Sequence, residues 1–260
     1  MSSPDYSVRI SGVTKSYGNV VALNGIDLDI MSGQIFGVLG PNGSGKSTML
    51  KIIASVLQPD DGSVHVLGMD CRTDYLKIRK HIGFVPEDSV IYESLTGEEF
   101  LSLVASVYEI GKDEFERRLE ALSAAMDTRG IMSELIGNLS FGNRQKISII
   151  AAMIHDPEIL ILDEPTKGLD PRSFRIFKNI LTMLAEKGKT IIFSTHAMEI
   201  AEELCQSLCI IYKGEIKTEG STSSFLKGEN GRQKLEKTFL TITGETDLET
   251  VADNVGRTFQ

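Results

Sequence analysis

The chain has 260 residues, 41% of them hydrophobic and 24% charged, the balance of a globular protein with length for one large domain or two small ones. Its formal charge of −9 argues against general attraction to nucleic acid phosphates, so no nucleic acid partner is expected. No apolar run approaches the ~18 residues of a membrane span, and residues 1–10 lack the charged and apolar halves of a signal peptide, so the expected setting is the cytoplasm.

In chain order, residues 8–13 and 25–30 read as strands of a β-rich N-terminal portion, joined by a loop through Tyr17, Gly18 and Asn19. The apolar run 34–39 reads as a buried strand, and the stretch Gly40-Pro41-Asn42-Gly43-Ser44-Gly45-Lys46-Ser47 after it fits G-x-x-x-x-G-K-[ST]. Its glycines allow backbone N–H groups to converge on polyphosphate oxygens, Lys46 supplies a charge to the β- and γ-phosphates, and the Ser47 hydroxyl suits Mg²⁺. A helical pattern runs from Thr48 to residue 57, so a positive helix end faces the same phosphates.

Short β-type runs follow at 63–67 and 82–85, with a helix-compatible segment between them. Residues 97–110, 113–126 and 143–154 carry apolar residues at helical spacing and read as a helical insertion. Strands at 159–162, 190–194 and 208–212 then alternate with helices at 171–187 and 197–204, which implies a mostly parallel sheet. The tail from Ser221 is weakly patterned, and a lid, a dimer contact and a β addition are all open to it. Cys71, Cys205 and Cys209 lack partners at metal-ligand spacing and are expected to be buried, reduced thiols.

The second chemical motif is Ile159-Leu160-Ile161-Leu162-Asp163-Glu164. An unbroken apolar run suits a strand buried on both faces, and the two acids emerge where it ends. Their side chains point different ways, so Asp163 is expected to hold Mg²⁺ and Glu164 to polarise the attacking water.

With these motifs in place, the chain resembles the nucleotide-binding subunit of ABC transporters over almost its whole length. Leu139-Ser140-Phe141-Gly142-Asn143-Arg144-Gln145 looks like that family's signature, Gly168-Leu169-Asp170-Pro171 its subunit-contact loop, His196 its switch histidine, and Tyr17 its adenine-stacking aromatic. The resemblance implies an α/β fold: a P-loop NTPase core with a mostly parallel sheet, an N-terminal antiparallel β subdomain and an inserted α-helical subdomain. It divides the chain into a catalytic core (1–86 and 157–220), a helical signature subdomain (87–156) and a C-terminal extension (221–260). It further implies that two subunits, as homodimer or heterodimer, close head to tail on two ATP molecules. Ser140 and Gly142 of one copy then face the γ-phosphate held by the other, Asp170 contacts the opposite subunit, and His196 orients Glu164 or the water.

Two places depart from the family pattern. Glu87 stands where many relatives have glutamine, a stronger hard ligand beside the phosphates that leaves its duty as a metal ligand or sensor open. Phe141 and Asn143 replace a glycine and a glutamine of the signature, and Phe141 is open to covering a closed site or packing on the insertion. Lys46, Asp163, Glu164 and His196 are intact, so ATP hydrolysis with Mg²⁺ is expected. The nearest string to a guanine-reading [NT]-K-x-D loop, Thr166-Lys167-Gly168-Leu169-Asp170, sets its aspartate one residue late.

The expected work is transport. The chain would sit at the inner face of the membrane on separately encoded permease subunits, docking through the segment around 87–97 with Val90, Ile91, Tyr92 and Leu95. Segments 82–100 and 235–244 look most like exporter-type ATPases for drugs, lipids or antibiotics. A soluble non-transport relative, such as a cluster-assembly factor, is the alternative.

Overall fold

A computed structural model describes residues 5–88, 91–226 and 231–244. The first two strands bury one face: Val8, Ile10 and Val13 of β1 (Tyr6–Tyr17) and Leu23, Ile26, Leu28 and Ile30 of β2 (Val20–Met31) are in the core, and most residues between them face water. They pair antiparallel, and β4 (Asp61–Val66) and the two-residue β5 (Met69–Asp70) extend the sheet in the order β2-β1-β4-β5. Tyr17 is not in a loop as the sequence suggests. It pairs with Val20 at the end of the ladder and leaves only Gly18 and Asn19 to turn, a pair suited to a two-residue hairpin.

The second sheet is built from near-continuous apolar runs. All five residues of β3 (Ile35–Leu39) and of β7 (Ile159–Asp163) are buried, as parallel strands covered on both faces require. The order is β10-β9-β3-β8-β7-β6, with β6 (Ile82–Val85), β8 (Thr190–Thr195) and β9 (Ser207–Tyr212) parallel to β3 and β7, and β10 (Glu215–Ser221) antiparallel to β9. Register sets the chemistry: Leu39 lies beside Thr195, Asp163 beside Ser194, and Val85 beside Leu162. The strand ends that carry Gly40, Asp163–Glu164, His196 and Glu87 therefore share one edge.

Helices cover both faces. One core joins the antiparallel sheet to α1 (Lys46–Ile53) and α2 (Tyr75–Lys80), and includes Met49, Leu50, Ile53 and Ile78. The other lies under α3 (Gly97–Val107), α4 (Lys112–Ala125), α5 (Phe141–Met153) and α6 (Pro171–Glu186), with Ile147, Ile150, Phe177 and Leu181 fully buried. Local chemistry fixes where these helices begin. Thr96 and Glu99 form a capping box on α3, and Asp170 caps α6 ahead of Pro171.

The described part of the tail is helical, which corrects the weakly patterned reading. After α7 (Met198–Leu204) and β10 come α8 (Thr222–Leu226) and α9 (Gly231–Thr243). Leu235 and Phe239 of α9 are buried against Leu39, Ala201, Leu208 and Ile210, and the Tyr212 hydroxyl donates to the Thr243 carbonyl at 3.1 Å. Residues 245–260 and Val90 lie outside the described residues.

Cys71, Cys205 and Cys209 are buried and free, as expected. Burial pushes the Cys205 thiol up to about 12 and the Cys209 thiol higher still, so both stay protonated at neutral pH. Among the described residues no helix is long and apolar enough to cross a membrane.

Candidate active site

The loop after β3 needs its glycines for space. Gly45 has φ +112, and a Cβ there would lie 2.6 Å from the Ala22 carbonyl oxygen and 2.9 Å from Leu23 Cδ2. The turn it permits starts α1 at Lys46, two residues earlier than the apolar pattern implies. Lys46 is 5% exposed, and its Nζ donates to the carbonyls of Gly40 at 2.8 Å and Pro41 at 3.2 Å. The same Nζ is 3.5 Å from Glu164 Oε1, so the cation of the phosphate loop meets the second carboxylate motif directly. Among the described residues the buried Ser44 hydroxyl has no hydrogen-bond partner, a polar atom suited to a ligand in the loop.

Glu164 is held in an uncommon backbone conformation, φ +48, just past the end of β7. Its Oε1 is also 3.0 Å from Nδ1 of His196, and its carboxylate is almost fully buried. A carboxylate between a lysine and an imidazole is confined to one position, which is what a proton acceptor for a bound water needs.

Asp163 is fully buried. One oxygen accepts from the Ser194 hydroxyl at 2.6 Å, and the other has no hydrogen-bond partner among the described residues. A buried anion with one oxygen unpartnered fits a hard divalent cation, and Ser47 stands in the first turn of α1 on the same edge. Ser194 was missing from the residues singled out by sequence. Its hydroxyl also accepts the Glu164 N–H at 3.0 Å, so one side chain fixes both acids. The only sequence signal was a small hydroxyl closing an apolar strand.

Glu87 lines an open cavity of about 470 Å³ with Tyr17, Asn42, Gly43, Gly45, Lys46, Ser47 and Thr48. In this structure its carboxylate lies 3.5 Å from Lys167, an exposed pair worth at most about 1 kcal/mol and free to part. Tyr17 is half exposed at the cavity, next to the exposed Val20 and Val21, an apolar rim above the phosphate loop.

Ser140, Gly142 and Asp170 do not line that cavity. Ser140 caps α5, accepting from Asn143 N–H at 3.3 Å, so α5 begins at Phe141 and directs its positive end outward past the Ser140 hydroxyl. Asp170 accepts from the Ser173 hydroxyl at 2.5 Å and from its N–H at 2.9 Å, with Lys146 3.5 Å away. Those contacts, the hydroxyl first, hold its carboxyl well below the usual carboxylate range. One chain thus carries two separate surfaces: a phosphate pocket with acids and lysine, and a helix end with a serine and a glycine.

Comparison with known proteins identifies the family. The ABC transporter family matches residues 23–167. The ABC transporter ATP-binding protein NatA of Bacillus subtilis (strain 168) is 37% identical over 211 residues, 81% of this chain and 86% of that protein. Nod factor export ATP-binding protein I of Rhizobium sp. (strain N33) is 34% identical over 88% of this chain and 76% of its own length. Among solved structures, the dimeric post-hydrolysis state of the ATP-binding cassette MJ0796 bound to ADP and Pi superimposes with a TM-score of 0.77. It is 28% identical, over 83% of this chain and 98% of that one.

Proposed function

This chain belongs to the ABC transporter family as an ATP-binding ATPase subunit, and from that premise we propose that it hydrolyses Mg-ATP in a head-to-tail dimer to drive export through separate membrane subunits. One observation carries the reading: Lys46, Glu164 and His196 form an unbroken series of contacts at 3.5 and 3.0 Å beside the buried Asp163.

In this mechanism the γ-phosphate takes the Lys46 ammonium from its carbonyl partners. Glu164 accepts the proton of the attacking water, and His196 holds the carboxylate in line. Asp163, Ser47 and Glu87 would hold Mg²⁺, which when bound neutralises charge developing on the β- and γ-oxygens. Backbone N–H groups of the loop from Gly40 through Ser47, all but Pro41, which has none, cradle the phosphates, with Thr48 in the first turn of α1, and Tyr17 stacks on the adenine. Ser140 and Gly142 serve the site of the second copy, and Asp170 lies at the same junction. The catalytic core, helical insertion and C-terminal extension divide at residues 86, 156 and 220.

Export is supported by what one relative is named for, Nod factor export. The docking surface for the permease is the cleft of about 310 Å³ where α3 and α5 meet the sheet, lined by Phe84, Ile91, Phe100, Val104, Tyr108 and His155. Within the segment expected to dock, Ile91 and Leu95 pack on the chain's own core, and Tyr92 remains 63% exposed. The protein would then be peripheral at the inner face of the membrane.

Two measurements test this. In competition, ATP should displace a labelled nucleotide well ahead of GTP, and the reverse order would overturn the ATP assignment. The chain, expressed in its own host, should co-purify from membranes with an integral protein of several spans. Recovery with soluble partners alone would favour the cluster-assembly alternative.

A further inference from the structure

The start of α5 is joined to the loop that leaves Glu164. Gln145 Nε2 donates to the Pro165 carbonyl at 3.2 Å in a buried contact, and Lys146 Nζ lies 3.5 Å from Asp170. Gly142 sits against the Gly168 carbonyl so closely that a Cβ at 142 would overlap its oxygen. Phe141 completes the joint. Gly168 has φ +80, and a Cβ there would overlap Cδ1 of the Phe141 ring and lie 2.8 Å from Cε1. The ring therefore lies over the turn itself, and Phe141 as a whole is 48% exposed. That turn begins at Glu164 and is closed by two single hydrogen bonds, Lys167 N–H to Glu164 O at 3.2 Å and Leu169 N–H to Thr166 O at 3.1 Å.

We propose that Phe141 is a positioning residue for hydrolysis: by bearing on Gly168 it holds the 164–169 turn, and through it the backbone of Glu164, in its own chain. This rests on the reading of Glu164 as the proton acceptor. The remaining joints act at the ends of the loop, Pro165 and Asp170, or on one glycine face. At the middle of the turn, where the left-handed Gly168 makes the chain easiest to open, the Phe141 ring lies on Gly168 beside the Gly142 backbone. A side chain that replaces a glycine of the family signature thus gains a task within one subunit, independent of what it meets across a dimer.

The test measures amide hydrogen exchange of the nucleotide-free chain, then ATP turnover, for wild type, Phe141→Ala and Phe141→Tyr. Exchange at Lys167 and Leu169 should rise by about tenfold in Phe141→Ala, with exchange in α9 unchanged as a control for folding. Turnover should fall by about tenfold with KM for ATP within roughly twofold, and Phe141→Tyr should restore both. Unchanged exchange at 165–170 in Phe141→Ala would overturn the proposal whatever turnover did. Faster exchange with unchanged turnover would overturn the positioning role. Because the exchange arm needs no nucleotide, failure of the Glu164 assignment would show separately, as continued turnover in Glu164→Gln.

Discussion

Ser194 shows how much the site depends on one hydroxyl. It donates to Asp163 and accepts from the Glu164 N–H, so the acid proposed to face the metal and the acid proposed to face the water share a support. Ser194→Ala would leave a buried carboxylate oxygen and a buried N–H unpartnered, costing roughly 1–3 kcal/mol of stability for each group left so. Turnover should fall by roughly 10–100-fold, as for other partners that orient a metal-ligating carboxylate, with ATP affinity little changed. Equal losses in affinity and turnover would assign Ser194 to the fold alone. His155 offers a second test at this scale. Its ring stacks on Tyr108 with centroids 3.7 Å apart, its Nε2 must carry the proton to bond the Ile82 carbonyl at 3.1 Å, and its buried Nδ1 has no partner among the described residues. Burial first, with Arg118 adding to it, pushes the imidazole down to about 4, against the opposing pull of the Ile82 carbonyl, Glu158 and Asp156. The native chain therefore refuses a proton that the unfolded chain accepts below about pH 6.5. Stability from this group is complete above that pH and is lost as pH falls toward 4. Urea midpoints measured across that window should decline less steeply for His155→Phe than for the wild type, and an equal slope would contradict the assignment.

Among the elements, those that place the phosphates were legible because their chemistry is local. The glycines and lysine of the phosphate loop sit within eight residues, and the apolar run 159–162 announces the acids that follow it. What was not legible depends on register or on contacts between distant segments. Asp163 meets Ser194 only because β7 and β8 pair in that register, and Phe141 meets Gly168 only through the packing of α5 on the loop after β7. The helix α9 was missed for a different reason. Thr238, Thr241 and Thr243 dilute its pattern, although Leu235, Phe239 and Ile242 keep the four- and three-residue steps of one face. That face predicts its energetics. Phe239→Ala should destabilise the chain by roughly 3–5 kcal/mol at most, the range for large-to-small core changes, with the lower end favoured at this peripheral cluster. A thermal or urea midpoint unchanged by that substitution would mean that α9 does not dock on β9 in solution.

For the whole molecule, the two surfaces of one chain define how it works. The pocket at the strand ends carries lysine, acids and histidine, whereas Ser140 and Gly142 stand at a helix end outside that cavity. On the proposed function a single copy holds an incomplete site, and a second copy placed head to tail would supply the missing helix end; the similar cassette MJ0796 is itself recorded as a dimer. On that proposal closing the dimer would give ATP a mechanical output, and hydrolysis at Glu164 would reset it. The most direct measurement is the Glu164→Gln variant in Mg-ATP, followed by turnover and by molecular mass in solution. Turnover should drop by roughly 10²–10⁴-fold, the usual share of a general base, while ATP stays bound and the mass doubles from that of the nucleotide-free chain. Turnover within about twofold of wild type, or a variant that binds ATP yet stays monomeric, would contradict the account.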